Sequence, residues 1–193
     1  MRGVRREEIL DLVAYEKIRP EFLEKTIALK QPRRISVGDR LTFIFENRDT
    51  VLFQIQEMLR AERAVREEKI ADEMHVYNEL VPRANELSAT LMIEIPAAQR
   101  IRAELDRLVG IDEHVFLDVG SETVRAAFDP KQFESDRISA VQYVRFPLGP
   151  TLATRFSDRN GTVRLRVDHP NYRHAVEIRG DSRESLIGDL ATT

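Results

Sequence analysis

Asp72, His75 and Glu79 are spaced three and four residues apart, which on a helix puts two carboxylates and an imidazole on one face. Oxygen and imidazole ligands at that spacing suit several divalent metals. A di-iron bundle needs a second such motif and further glutamates on other core helices. This chain has one variant motif and a strand-rich remainder, which leaves a mononuclear site or a solvated charged helix. A second group, Asp168-His169-Pro170-Asn171-Tyr172-Arg173-His174, gathers two histidines, an aspartate and a tyrosine in a turn fixed by Pro170, where imidazole can titrate near neutrality.

A third group lies on a helix expected from near Thr50 to about Lys69, with Asn47 or Asp49 as its cap. Helical periodicity places Glu62 on the apolar stripe of Val51, Ile55, Met58 and Val65. A carboxylate facing a core must be paired, with Arg66 or an arginine from elsewhere, or keep its proton. A structural ion pair is the plain reading, and a metal-binding or catalytic carboxylate the functional one. Gln54 and Glu57 form a flank expected to face solvent. Phe53 and Ala64 form another, whose apolar surface makes a homodimer an expectation.

Strand alternation adds a fourth group. Arg164, Arg166 and Asp168 oppose Val163, Leu165 and Val167; Glu94 opposes Leu91, Ile93 and Ile95; Glu46, Asp118, Arg125 and Arg145 occupy alternate positions of their own strands. If these faces coincide they form an arginine- and carboxylate-lined surface for an anion or an acidic partner segment; otherwise they are hydrated sheet faces with cross-strand pairs.

The elements that must position these groups follow from periodicity. Helices are expected over Arg5–Arg19 and Glu21–Lys30, divided by Pro20, with Pro32 ending the second before a solvated basic cluster of Lys30, Arg33 and Arg34. A hairpin spans Ile35–Phe45 around Val37-Gly38-Asp39. Beyond the Thr50 helix come a helix over Asp72–Leu87 bent at Pro82, a strand over Ala89–Ile95, and a helix over Ala97–Leu108 closed by Gly110. Strands at 113–119, 122–128, 139–146, 162–168 and 175–179 and a helix at 182–191 follow, with Gly149-Pro150 as a separating turn. A helix-rich part (1–110) and a strand-rich part (111–193) in one domain predict an α+β fold, a mostly antiparallel sheet packed by the long helix and the N-terminal helices.

Composition narrows the chemistry. The chain has no cysteine, which removes a thiol nucleophile, disulfides and thiolate-held zinc or iron–sulfur clusters. A net charge of −3 argues against a dedicated nucleic-acid binder. No signal-peptide or membrane-spanning run is present, so the expected location is cytoplasmic. The glycine-rich nucleotide loops, the GxSxG elbow and HExxH are absent, and nothing in the sequence requires a cofactor.

The segments QIQEMLRAE (54–62), LSATLMIEIP (87–96), VRFPL (144–148), VDHPNYR (167–173) and SLIGDL (185–190) occur in the order seen in a bacterial family known as domain of unknown function 3501, and the chain resembles that family over nearly its whole length. The resemblance implies a link to redox or peroxide physiology, because members are often encoded beside rubrerythrin-like proteins and iron–sulfur proteins resembling heterodisulfide reductase subunits. The polar residues it marks are Gln54, Gln56, Glu57, Arg60, Glu62, Glu94, Arg145, Asp168, His169 and Tyr172. The family usually has a more apolar stretch after QEML, where this chain has Arg66, Glu67 and Glu68. Three readings follow: a non-enzymatic accessory protein with an iron–sulfur or rubrerythrin-like partner, a metal- or anion-dependent enzyme joining Glu57 or Glu62 to Arg145 and the Asp168-His169 turn, and an ion-pair network with no ligand.

Overall fold

The computed structural model describes residues 1–95, 100–129, 133, 134 and 137–191. After a short 3-10 turn (Arg6–Glu8) the chain forms α1 (Leu12–Lys30), β1 (Arg34–Val37), β2 (Leu41–Glu46), α2 (Arg48–Ala61), α3 (Glu67–Asn78) and β3 (Glu86–Ile93). Next come α4 (Ile101–Asp106), β4 (Val115–Val119), β5 (Glu122–Arg125), β6 (Ala127–Phe128), β7 (Phe133–Glu134), β8 (Arg137–Ile138) and β9 (Val141–Pro147). α5 (Gly149–Ser157), β10 (Val163–His169), β11 (Tyr172–Glu177) and α6 (Gly180–Ala191) follow. The fold is α+β, and its strands make two larger antiparallel sheets, ordered β1-β2-β3-β9-β6 and β11-β10-β4-β5, beside a small β7-β8 hairpin.

Alternation explains the layering. Leu41, Phe43 and Phe45 of β2, Leu87, Ala89 and Leu91 of β3, and Val144 and Phe146 of β9 turn into a core shared with Val115, Leu117, Val163, Leu165 and Val167 of the second sheet. The opposite face of the first sheet is polar and lies under α2 and α3, whose Val51, Ile55, Leu59, Ile70, Tyr77 and Leu80 form a second cluster with Tyr143 of β9 packed against it. β3 is therefore buried along almost its whole length, apolar on one side and carrying Glu86, Ser88 and Thr90 on the other. The expected strand 122–128 divides at Ala126, because β5 pairs in the second sheet and β6 in the first.

Several helix boundaries differ from expectation. α1 continues through Pro20, whose ring is exposed, because Tyr15 and Thr26 on either side are buried and Phe22 packs edge-on against both Tyr15 and Phe53. Tertiary contact here outweighs a proline penalty of about 3 kcal/mol. The same geometry leaves Val13 and Ile27 in solvent and takes Phe53 into the α1–α2 packing, with the Lys30 ammonium 5.7 Å from its ring centre. Phe53 is thus no free flank for a homodimer.

The expected helix from Thr50 to Lys69 ends at Ala61. Arg63 takes φ +51; its N–H donates to the Arg60 carbonyl, and the Ala64 N–H to the Leu59 carbonyl at 2.9 Å. That pattern normally uses glycine at the left-handed position, so it left no mark in the sequence. α3 then begins at Glu67 and stops at Asn78 rather than near Leu87. The Gly149-Pro150 pair opens α5 instead of separating strands, with Pro150 in the first helical turn, where its missing N–H costs nothing. Residues 96–99, which open the expected Ala97 helix, lie outside the described residues; α4 occupies its later part.

Arg33 is not part of a solvated basic cluster. It is 1% exposed, and its guanidinium joins the backbone carbonyls of Phe45 and Glu46 to Ser185 and Asp189 of α6. The N-terminal segment is held by two side-chain amides that mimic a strand: Gln56 pairs with the backbone N–H and C=O of Leu10, and Asn78 with those of Val4. Among the described residues no helix is long and apolar enough to cross a membrane.

Candidate functional site

The polar face of the first sheet carries a cross-strand row. Glu46 of β2 is opposite Ser88 of β3, Ser88 is opposite Arg145 of β9, and Arg145 is opposite Ala127 of β6. The next row on this face runs Ile44, Thr90, Tyr143. At the buried end, the Glu46 carboxylate accepts hydrogen bonds from the hydroxyls of Thr90, at 2.7 Å, and Thr50. Toward the β6 edge, α3 ends and the face opens as a cleft of about 300 Å³.

Hydrogen-bond donors dominate the inner part of this cleft. Ser88 is 2% exposed, lines the cleft and has no hydrogen-bond partner for its hydroxyl among the described residues. Beside it, one terminal nitrogen of Arg145 donates to Glu86, and its other N–H groups have no partner among the described residues. Glu86 also accepts the backbone N–H of Arg83 at 3.2 Å, so one carboxylate fixes both the arginine and the turn leading into β3. Burial, with the Glu46 carboxylate nearby, pushes the Tyr143 phenol above its ordinary value, so Tyr143 keeps its proton. Arg83 is exposed at the rim and forms no ion pair among the described residues. Glu79 and Asp129 line the cleft as well, as do Val76 and Leu80 of the α3 end.

Of the residues expected from sequence, Arg145 and Glu79 meet here. Glu57 does not face solvent: it receives the Tyr15 hydroxyl at 2.7 Å and the Arg19 guanidinium at 2.7 and 2.9 Å, tying α1 to α2. Arg60 supports the same junction through Glu16, and Gln54 lies beside Tyr77 on the α3 side. Glu62 is exposed at the end of α2 and pairs with Lys69 at 3.1 Å; with the helix ending at Ala61 it never reaches the apolar stripe, and Arg66 is not its partner. Glu94 pairs with Arg34. Asp72 and His75 project from the exposed side of α3, and among the described residues no group of three or more His, Asp or Glu side chains is placed to hold a metal ion.

The 168–174 turn is similarly occupied. His169 is buried; its Nδ1 accepts the Asn171 N–H at 3.2 Å, which assigns the ring proton to Nε2, 3.0 Å from the Val109 carbonyl. Tyr172 reaches across to the β1–β2 turn, and Asp168 pairs with Arg166 and Arg173. Arg164, Arg166, Asp168, Asp118 and Arg125 do share the outer face of the second sheet, with Arg166 forked onto Asp118 and lying over Phe116. Glu46 and Arg145 belong to the other sheet. None of Glu57, Glu62, Arg145 and the Asp168-His169 turn is paired with another of the set.

Sequence reasoning missed Ser88, Tyr143 and Arg83. The available signal was the alternation in β3, where Ser88 and Thr90 interrupt Leu87, Ala89 and Leu91.

Several of the ion pairs set an acid limit. The Arg48 guanidinium holds the Glu8 carboxyl at about 2, and Arg19 and Tyr15 hold Glu57 below the usual carboxylate range. Folded-state values below unfolded ones mean that the folded protein binds fewer protons in this window, so these pairs stabilise above about pH 4.5 and the contribution is lost as pH falls toward 2. Urea midpoints measured from pH 6 down to 2.5 should fall with pH. Glu57→Gln should cost about 1–2 kcal/mol at pH 7 and show a shallower decline, whereas equal slopes would mean that Glu57 carries none of it.

Comparison with known proteins places this arrangement. Residues 3–190 match the family model described as a protein of unknown function (DUF3501). A crystal structure of a novel protein of unknown function from Burkholderia pseudomallei is similar at 37% identity with a TM-score of 0.91, covering 98% of this chain and 100% of that one. No curated protein matches the chain.

Proposed function

As the chain belongs to the DUF3501 family of proteins of unknown function, its role must come from its own residues, and we propose that it is a binding protein whose cleft between α3 and the first sheet receives the anionic group of a small ligand. The observation that carries this reading is Ser88: its hydroxyl has no protein partner among the described residues and opens only on the cleft, directly across the sheet from an arginine with unused donors. A carboxylate or phosphate oxygen in the cleft would accept from Ser88 and from the free side of Arg145 together. Arg83 supplies further donors, and charge-assisted bonds of this kind are the stronger ones.

Isothermal titration with phosphate, 4-methylpentanoate and leucine tests the proposal. At least one should bind, and Arg145→Met should weaken it about tenfold or more, a loss of about 1.4 kcal/mol; Ser88→Ala should weaken it less. Absence of binding by all three, or binding indifferent to both substitutions, overturns the reading. The accessory role implied by the family resemblance, at an iron–sulfur or rubrerythrin-like partner in redox or peroxide physiology, is proposed as the setting in which ligand occupancy would be read. It predicts that the purified protein retains an iron-containing partner from extract of its host.

A further inference from the structure

The cleft has three chemically distinct sides. Ser88 and Arg145 present donors, with Arg83 at the rim, Glu79 brings negative charge, and Val76 and Leu80 present hydrocarbon. Val76 is 54% exposed although it is a large β-branched residue. A simple anion uses the donors alone and is repelled by Glu79, and Glu86 already meets part of the Arg145 charge. We infer that the ligand is a zwitterionic amino acid with an apolar side chain, its carboxylate on Ser88 and Arg145, its ammonium toward Glu79, and its side chain against Val76 and Leu80. This rests on the reading of the cleft as an anion site and adds the other two thirds of the ligand. The volume, about 300 Å³, lies at the small end of ligand pockets and suits a molecule of that size.

Matched ligands separate the parts. Leucine carries all three groups, 4-methylpentanoate lacks the ammonium, isoamylamine lacks the carboxylate and glycine lacks the side chain. By isothermal titration leucine should bind at least tenfold more tightly than each of the other three. Glu79→Gln, an exposed position where folding is not at stake, should weaken leucine several-fold and leave 4-methylpentanoate unchanged, while Val76→Asn should reduce the advantage of leucine over glycine. If 4-methylpentanoate or phosphate binds as tightly as leucine, or Glu79→Gln weakens both acids equally, the zwitterion is wrong and the anion site stands. If no carboxylate or phosphate binds, both fall together.

Discussion

Arg33→Ala should lower the unfolding free energy by about 3–5 kcal/mol, measured by urea or guanidinium denaturation at neutral pH. The guanidinium spends all five of its N–H donors inside the protein: Nε on the Phe45 carbonyl, one Nη on Ser185 and Asp189, the other on the Glu46 carbonyl and Asp189. It thereby fixes the end of β2 to α6, elements more than a hundred residues apart in the chain. Removing it strands two carbonyls and leaves the Asp189 carboxylate buried without a countercharge. Burial already pushes the Asp189 carboxyl up against the pull of Arg33. Arg33→Met combined with Asp189→Leu should recover much of the loss, because the pair's desolvation cost disappears with it. A double variant as unstable as Arg33→Ala would show instead that the carbonyl bonds, and not the stranded charge, carry the effect.

Gly38→Ala should cost about 2–4 kcal/mol, for two separable reasons. Gly38 has φ +71, a conformation that a side chain makes costly. An added Cβ would also lie 2.3 Å from the Tyr172 hydroxyl oxygen and 2.7 Å from the His174 ring. That hydroxyl donates to the Val37 carbonyl at 2.7 Å and accepts the Arg40 N–H at 3.0 Å, so it closes the β1–β2 turn from the other sheet. Displacing it breaks both bonds. In a Tyr172→Phe background the same glycine substitution should cost less, since those bonds are already gone, but the backbone part should remain. Strict additivity of the two variants in denaturant unfolding would show that the phenol and the turn are not coupled.

The turn is a case where sequence carried part of the answer. Val37-Gly38-Asp39 marks itself through glycine, and VDHPNYR through proline, but nothing local says that the tyrosine of the second closes the first. Asn47 was legible as a cap because capping is local, and its side chain accepts from the Asp49 and Thr50 N–H groups. The strands of the core were legible because alternation is local too. Arg63 ends α2 in a conformation usually left to glycine, so the periodic reading ran past it and placed Glu62 in a core it does not touch. Pro20 misled in the opposite direction: the packing of Tyr15, Phe22 and Thr26 holds a helix that the local rule would divide.

The candidate site shows the same division. Arg145 and Glu79 could be named from sequence, one from a strand face and one from helical spacing. Their meeting depends on β3 pairing with β9 and on α3 stopping at Asn78, and neither is local. Ser88 drew no notice beside the charged residues, although in the folded protein its hydroxyl faces the cleft without a partner among the described residues. The ion pairs that sequence made prominent, at Glu57, Arg60, Glu62 and Glu94, join elements to one another and use up their own charge.

The central claim is that this cleft holds the charged group of a ligand, and amide chemical-shift mapping tests it most directly. Titration of the ¹⁵N-labelled protein with leucine, 4-methylpentanoate and phosphate in turn should, for at least one of them, move the amide signals around Arg83, Ser88, Tyr143 and Arg145 together, saturably, with the outer face of the second sheet unaffected. Shifts centred on the notch of Arg40, Arg107 and Arg173 beside the β10–β11 turn, or no shift with any of the three at an excess that would saturate a millimolar site, would contradict it.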